Sequence, residues 1–399
     1  MMRVFYSEAV YGDEEVDAAL HILKNQRHAL MTGPKVAEFE AGISAAFGKK
    51  RGLMVNSGSS ANLLALACLN LEKGAEVITP ALTFSTTVAP IVQLGLTPVF
   101  VDSDLSTLQA NAEQIEQAIS PQTRAIMVPN LMGNLPDWRR IRDIANAHHL
   151  IVIEDSADTV GYRIDGQAGN PYSDVATTSF YASHVITGAG HGGMVCLNDD
   201  RHYERAMLLR GWGRRSSILG EVEDVDARFS CEVDGIPYDS KFVFDGLGYN
   251  FLPSEISAAF GLVQLRRLPQ NSKRRNENFG RIKGHLARYA DRIITFSSLQ
   301  NVETNWLAFP LVFRTESKIK RRDFQIFLEK RNIQTRTVFT GNILRHPAMK
   351  GVAHRVVAES LPTADLVMRN GCLIGAHHGL SDAQVEYMLD VIDEFMKTH

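Results

Sequence analysis

The sequence is poor in cysteine, has no long apolar run and carries little net charge, and each shortage excludes something. Its four cysteines, Cys68, Cys196, Cys231 and Cys372, lie far apart with no CxxC spacing. That argues against a metal knuckle and against a disulfide-stapled secreted fold, and reduced, mostly buried thiols are expected. No apolar stretch reaches the roughly 18 residues needed to span a bilayer. The opening MMRVFYSEAVYGDEEV has no apolar signal core, so a cytoplasmic location without membrane contact is the expectation. A formal charge of -3, with both signs interspersed, provides no field for nucleic acid or an anionic membrane, so an anionic ligand must be held by local groups. Lysine is also missing from a long internal stretch, between Lys73 and Lys241.

What is present is the pattern of a large layered protein. A chain of 399 residues suggests two domains in one subunit. Residues 12 to 48 are helical in periodicity, broken at LMTGPK. Then β-rich runs alternate with amphipathic segments: EVITPA, TPVFVD, RAIMVPN, LIVIEDSA, VATTSFYAS and GGMVCLN. The alternation predicts an α/β fold with a mostly parallel sheet covered on both faces, which binds ligands at the carboxyl ends of its strands. A helical stretch from Pro253 to about Tyr289 leads to a compact α+β remainder. The expected division is a large domain over 1–270, including the helical N-terminal segment, and a small one over 271–399.

Three motifs carry candidate chemistry. NSGSSANLLAL sets a Gly/Ser turn before a helix, so Gly58, Ser59 and Ser60 could cradle a phosphate, or could form an ordinary N-cap. Asp155 follows a buried apolar strand in VIEDSAD, where an unpaired carboxylate is costly; a protonated pyridine nitrogen, a helix cap or a salt bridge would answer it. Phe84, in TPALTFSTT, could stack on such a ring or serve as core.

Taken together, NSGSSANLLAL, TPALTFSTT, PVFVD, EDSAD, the loop SFYASHVITGAGHGGMV and GYNFLPSEISAAFG resemble, in order and approximate spacing, the DegT/DnrJ/StrS sugar aminotransferase family. The resemblance covers essentially the whole chain. It implies a fold type I pyridoxal-phosphate architecture with Asp155 facing the pyridine nitrogen and Phe84 stacked on the ring. It also implies Ser179, Ser59 and Ser60 on the phosphate, with Gly58 and Ala157 in the same cofactor-binding set. Asn250 is the family position that reaches the phosphate from the partner subunit, which implies a homodimer with shared active sites. A basic residue usual two places later is Leu252 here.

The family's aminotransferases carry a lysine five residues after the loop serine, as covalent tether and proton shuttle. Here that residue is His184. Imidazole forms no such tether but can move protons. The same exchange marks the family's deoxysugar 3-dehydratases, and LRGWGR, IPYDSKFVFDGLGYN, TRTVFTGNILRHPA and GAHHGL also resemble that branch. The resemblance implies non-covalently bound pyridoxamine phosphate or pyridoxal phosphate, a nucleotide-linked 4-keto-6-deoxyhexose as substrate, and loss of the C3 hydroxyl in deoxysugar biosynthesis, as for lipopolysaccharide O-antigens.

Iron-sulfur members of the branch have clustered cysteines after the Trp-Gly-Arg element, but here Arg214 is followed by Arg215, Ser216, Ser217 and Ile218. The better parallel is the cluster-free enzyme acting on GDP-4-keto-6-deoxymannose, recharged by glutamate; an external reductase is the other way to complete the cycle. The family's GEGG is GAGHGG here, which leaves His191 either in the glutamate's role or facing solvent. Thr32, Arg336, Asn342 and Arg345 are candidate substrate contacts, the arginines suiting a diphosphate. His377 and His378 lack the spacing of a metal site, and no metal is assigned. The rivals are a nucleotide-sugar aminotransferase, disfavoured by the absent lysine, and a non-catalytic binding homologue.

Overall fold

The structure, a computed structural model, describes residues 2–28, 30–219 and 224–398. Seven short segments form most of one sheet: β1 (Arg51–Val55), β2 (Glu76–Pro80), β3 (Thr97–Val101), β4 (Thr123–Pro129), β5 (Ile151–Asp155), β6 (Val175–Ser179) and β7 (Gly193–Leu197). Their order is β1-β7-β6-β5-β4-β2-β3, and Arg355–Val356 adds an eighth strand beside β3. Within this sheet β7 alone opposes its neighbours, β1 and β6; the pairings from β6 onward are parallel.

A parallel sheet has to be covered on both faces, and its side chains divide by the pleat. Ile78, Ile126 and Val152 face a core that includes Phe39 and Ile43 of one helix and Ile141 of another. Their sequence neighbours Val77, Met127 and Ile153 pack on the opposite face with Leu64 and Ala65. The helices that matter for the site are α1 (Asp13–Asn25), α2 (Pro34–Ala46), α3 (Gly58–Ala67) and α4 (Ser85–Gln93). Because β1 and β6 both oppose β7, they point the same way, and β1, β2, β4, β5 and β6 deliver their carboxyl ends to one edge. The α3 helix starts just after β1, and α4 just after β2.

A second sheet, Ile293–Ile294, Phe309–Phe313, Gly371–Ile374 and Thr335–Thr337 in spatial order, is antiparallel. Its core holds Phe309, Phe313, Phe324 and Phe395. The expected division into 1–270 and 271–399 falls inside a helix that both cores share. Glu255–Leu286 is one helix of 32 residues with Pro269 inside it, about 48 Å long at 1.5 Å per residue. Its first half buries Ala258, Leu262 and Leu268 against the large sheet, and its second half buries Phe279, Ile282 and Leu286 in the other core. Packing at both ends outweighs the local cost of the proline. The two cores also exchange chain: Val4 pairs with Ile333, while Arg355–Val356 returns to the large sheet. No helix among the described residues is long and apolar enough to cross a membrane.

Candidate active site

A cavity of about 630 Å³ lies where β4, β5 and β6 end, and their last residues, Pro129, Asp155 and Ser179, line it. This is where an open parallel sheet leaves room between its strand ends and the following loops. Gly58, Ser59, Phe84, Ala157 and His184 line it too.

Asp155 is buried, with 5% of its surface exposed. Its Oδ2 accepts hydrogen bonds from Asn62 Nδ2 (2.8 Å) and Thr87 Oγ1 (2.7 Å), and its Oδ1 from the Ala157 N–H (3.2 Å). Burial raises its pKa, and these three donors pull it back. Asp155 lines the cavity, and no salt bridge to it occurs among the described residues, so no basic side chain answers its carboxyl group. Asn62 and Thr87 escaped notice in the sequence, although spacing could have found them: each lies about one helical turn from a recognised residue, Gly58 and Phe84. Thr177 Oγ1 donates to Asn62 Oδ1 (2.6 Å), which fixes the amide's orientation.

The start of α3 forms the polar end. Ser57 is its N-cap and accepts from the Ser60 N–H (3.1 Å), while Ser57 Oγ donates to Ser60 Oγ (2.9 Å). Ser60 is thus engaged in the cap and is not among the lining residues, whereas Ser57 and Ser59 are. In the first turn of a helix the N–H groups have no intrahelical acceptor, which leaves them for an anion. Gly58 is required by close approach: a Cβ there would stand 2.5 Å from Ser179 Cβ. Phe84 is half exposed, edge-on to Phe339 (centroids 6.0 Å apart, 77° between planes), so a ring face remains open.

The loop after β6 closes on itself through Phe180 N–H to Gly192 O (2.9 Å) and Gly188 N–H to Phe180 O (3.0 Å). His184 sits inside this closure, edge-on to Tyr181, and its Nδ1 has no partner among the described residues. Burial lowers its pKa to about 4; the Ser179 carbonyl opposes that shift in part and the Arg275 guanidinium adds to it. The imidazole is therefore neutral near pH 7 and able to accept a proton. Asp158, also lining the cavity, was missed in the sequence. Burial pushes its pKa up to about 7, offset in part by the Met132 N–H (2.8 Å) and reinforced by Asp155.

Other expected contacts are not brought together. Asn342 donates to Asp365 Oδ1 (2.8 Å) and accepts from the Leu344 N–H, and Arg345 is held by both oxygens of Asp365. Both side chains are thus spent within the fold, a pairing across twenty residues that local sequence does not announce. Thr32 is exposed in a left-handed conformation (φ 51°) and is not among the lining residues. Arg336 lies over the ring of Tyr6 (5.5 Å), itself a lining residue. Asn250 is exposed, bridged to Gly211, and outside the cavity of its own chain.

A sheet with one reversed strand and a cavity at its parallel strand ends is the architecture of the fold type I pyridoxal-phosphate enzymes. The chain belongs to the DegT/DnrJ/EryC1/StrS aminotransferase family, whose profile matches residues 10–393. It is 34% identical over 392 residues to dTDP-4-dehydro-2,6-dideoxy-D-glucose 3-dehydratase of Saccharopolyspora spinosa, covering 96% of this chain and 83% of that protein. The solved structure of Escherichia coli GDP-4-keto-6-deoxy-D-mannose-3-dehydratase with bound hydrated PLP is similar at TM-score 0.86 and 27% identity, covering 98% and 99% of the two chains. A structure of GDP-4-keto-6-deoxymannose-3-dehydratase with a trapped PLP-glutamate geminal diamine is similar at 0.85 and 27%, covering 97% and 99%.

Proposed function

We propose that this chain is a pyridoxamine-phosphate-dependent dehydratase that removes the C3 hydroxyl of a nucleotide-linked 4-keto-6-deoxyhexose. The observation that carries the reading is His184: a neutral imidazole lines the cavity at the position of the family's lysine, and no lysine lines that cavity among the described residues. The residues present fit the cofactor, because the buried carboxylate of Asp155 answers a protonated ring nitrogen. Ser57, Ser59 and Ser179, with the first N–H groups of α3, would hold the phosphate, and the open face of Phe84 would hold the ring. When bound, the cofactor supplies a primary amine that condenses with the sugar ketone and a conjugated ring that accepts electrons from a neighbouring C–H bond.

His184 takes the proton from the carbon that bears the amine. Carrying that proton, it becomes the acid that protonates the departing C3 hydroxyl, which leaves as water. Asp155 keeps the ring nitrogen protonated throughout, and the closed loop around Phe180 fixes the imidazole relative to Ser179. Asn250, outside its own cavity, suits the neighbouring site of a homodimer. Glutamate is the amino donor favoured for recharging, in line with the glutamate trapped in the similar solved structure.

The test is incubation with pyridoxamine phosphate and GDP-, dTDP- or CDP-linked 4-keto-6-deoxyhexoses, read by mass spectrometry. A sugar lighter by one oxygen atom, the 3-deoxy ketone formed as pyridoxamine phosphate becomes pyridoxal phosphate and ammonia is released, is expected from one of these substrates, and borohydride should fix no cofactor to the protein. Conversion of the ketone to an amine with glutamate, without water loss, would establish an aminotransferase instead.

A further inference from the structure

The cavity has an electrostatic shortfall at its phosphate end. Its lining carboxylates are Asp155 and Asp158, and among the described lining residues there is neither lysine nor arginine. A phosphate at the start of α3 brings more negative charge, and one helix N-terminus with a few hydroxyls offsets it only in part. Two residues depart from the family pattern: Leu252, where a basic residue is usual, and His191, where the GEGG glutamate is usual. Both departures lie beside Asn56. The Asn56 N–H donates to Phe251 O (3.1 Å), and its carbonyl accepts from the Gly192 N–H (3.1 Å). Leu252 and His191 are thus each one residue from a backbone bond of Asn56, which immediately precedes the N-cap Ser57.

The turn bearing His191 is closed by its own hydrogen bonds. Its N–H donates to Gly188 O (3.2 Å), Gly190 N–H to Thr187 Oγ1 (3.1 Å), and Gly192, at φ 125°, bridges to Ser57. A Cβ on Gly193 would stand 2.3 Å from Ser57 O, so the turn is pressed against the start of α3. The imidazole is exposed, lines the cavity and has no hydrogen-bond partner among the described residues.

We propose that His191 is a phosphate ligand of this site, its imidazole N–H binding the cofactor's phosphate monoester beside Ser57. The proposal rests on the cofactor reading above. Imidazole offers an N–H in either protonation state, and two when it is charged. The exchange of a glutamate for histidine also removes a negative charge from the same turn, so the two departures compensate one another.

Binding of pyridoxamine phosphate, pyridoxamine and GDP to the full-length chain tests this, with wild type, His191→Ala and His191→Arg compared and their folding checked by circular dichroism. A lost charge-assisted hydrogen bond should weaken pyridoxamine phosphate about tenfold or more in His191→Ala, leave pyridoxamine and GDP within about twofold, and be largely restored in His191→Arg. Unchanged affinity for pyridoxamine phosphate, or equal losses with and without the phosphate, would overturn the proposal. A loss confined to GDP would assign His191 to the nucleotide diphosphate and overturn it as well. Wild type that binds neither cofactor form would overturn the cofactor reading together with it, whereas tight wild-type binding unaffected by His191→Ala would remove His191 alone.

Discussion

Withdrawn from water, an imidazole gives up its proton and a carboxyl group keeps one. In this cavity His184 is pushed down to about 4 and Asp158 up to about 7, so the first is a ready base and the second a costly anion. The sign of the Asp158 effect follows from its two states. Below the unfolded value near 3.8 both folded and unfolded chains hold the proton and nothing is lost. As pH rises toward 7 the unfolded chain has released a proton that the folded chain still binds, so stability falls, and above 7 the full cost remains. Asp158→Asn keeps an acceptor for the Met132 N–H and removes that cost. In the cofactor-free protein it should match wild type near about pH 4 and be about 1–3 kcal/mol more stable above about pH 7. Denaturant titrations across that range check this, and parallel curves for the two proteins would contradict it. At this scale the sequence was informative where a motif was local and silent where a partner was distant. Asp155 and His184 could be singled out from their own segments, but nothing near Arg345 points to Asp365, and nothing near Asp155 announces that Asn62 and Thr87 hold it.

Among the elements, β2 to β7 were readable because each is a short run of β-branched or apolar residues between turn signals. The strand β1 was not, since RGLMV follows two lysines and offers only five residues without alternation; the sheet recruits it by pairing with β7. The long helix was legible as a helical stretch from Pro253 to about Tyr289, but not as one unbroken element. Pro269 and the neighbouring polar residues look like a stop, yet cores on either side hold the helix straight through it. The loop between β6 and β7 was recognisable by resemblance, while its closure through Phe180 and its pressing against α3 are products of the sheet order, which sets β6, β7 and β1 side by side.

For the whole molecule, the exposed apolar side chains between residues 225 and 247, among them Phe229, Ile236, Phe244 and Leu247, form the kind of surface that a partner covers. A homodimer that shares its sites makes a specific prediction. His184→Asn and Asn250→Ala chains, each inactive alone, should regain roughly a quarter of wild-type activity when unfolded and refolded together, because one site in each mixed dimer receives both native residues. Assay of the refolded mixture decides it; no recovery despite mixed dimers seen by native mass spectrometry would show that each chain completes its own site. The account as a whole depends on His184 as the group that moves the proton. Nuclear magnetic resonance of bound pyridoxamine phosphate in heavy water measures that step directly, as exchange of the methylene hydrogen. Wild type should exchange it and His184→Asn should retain the cofactor while slowing exchange by about a hundredfold or more. Equal exchange in the two proteins would contradict the account.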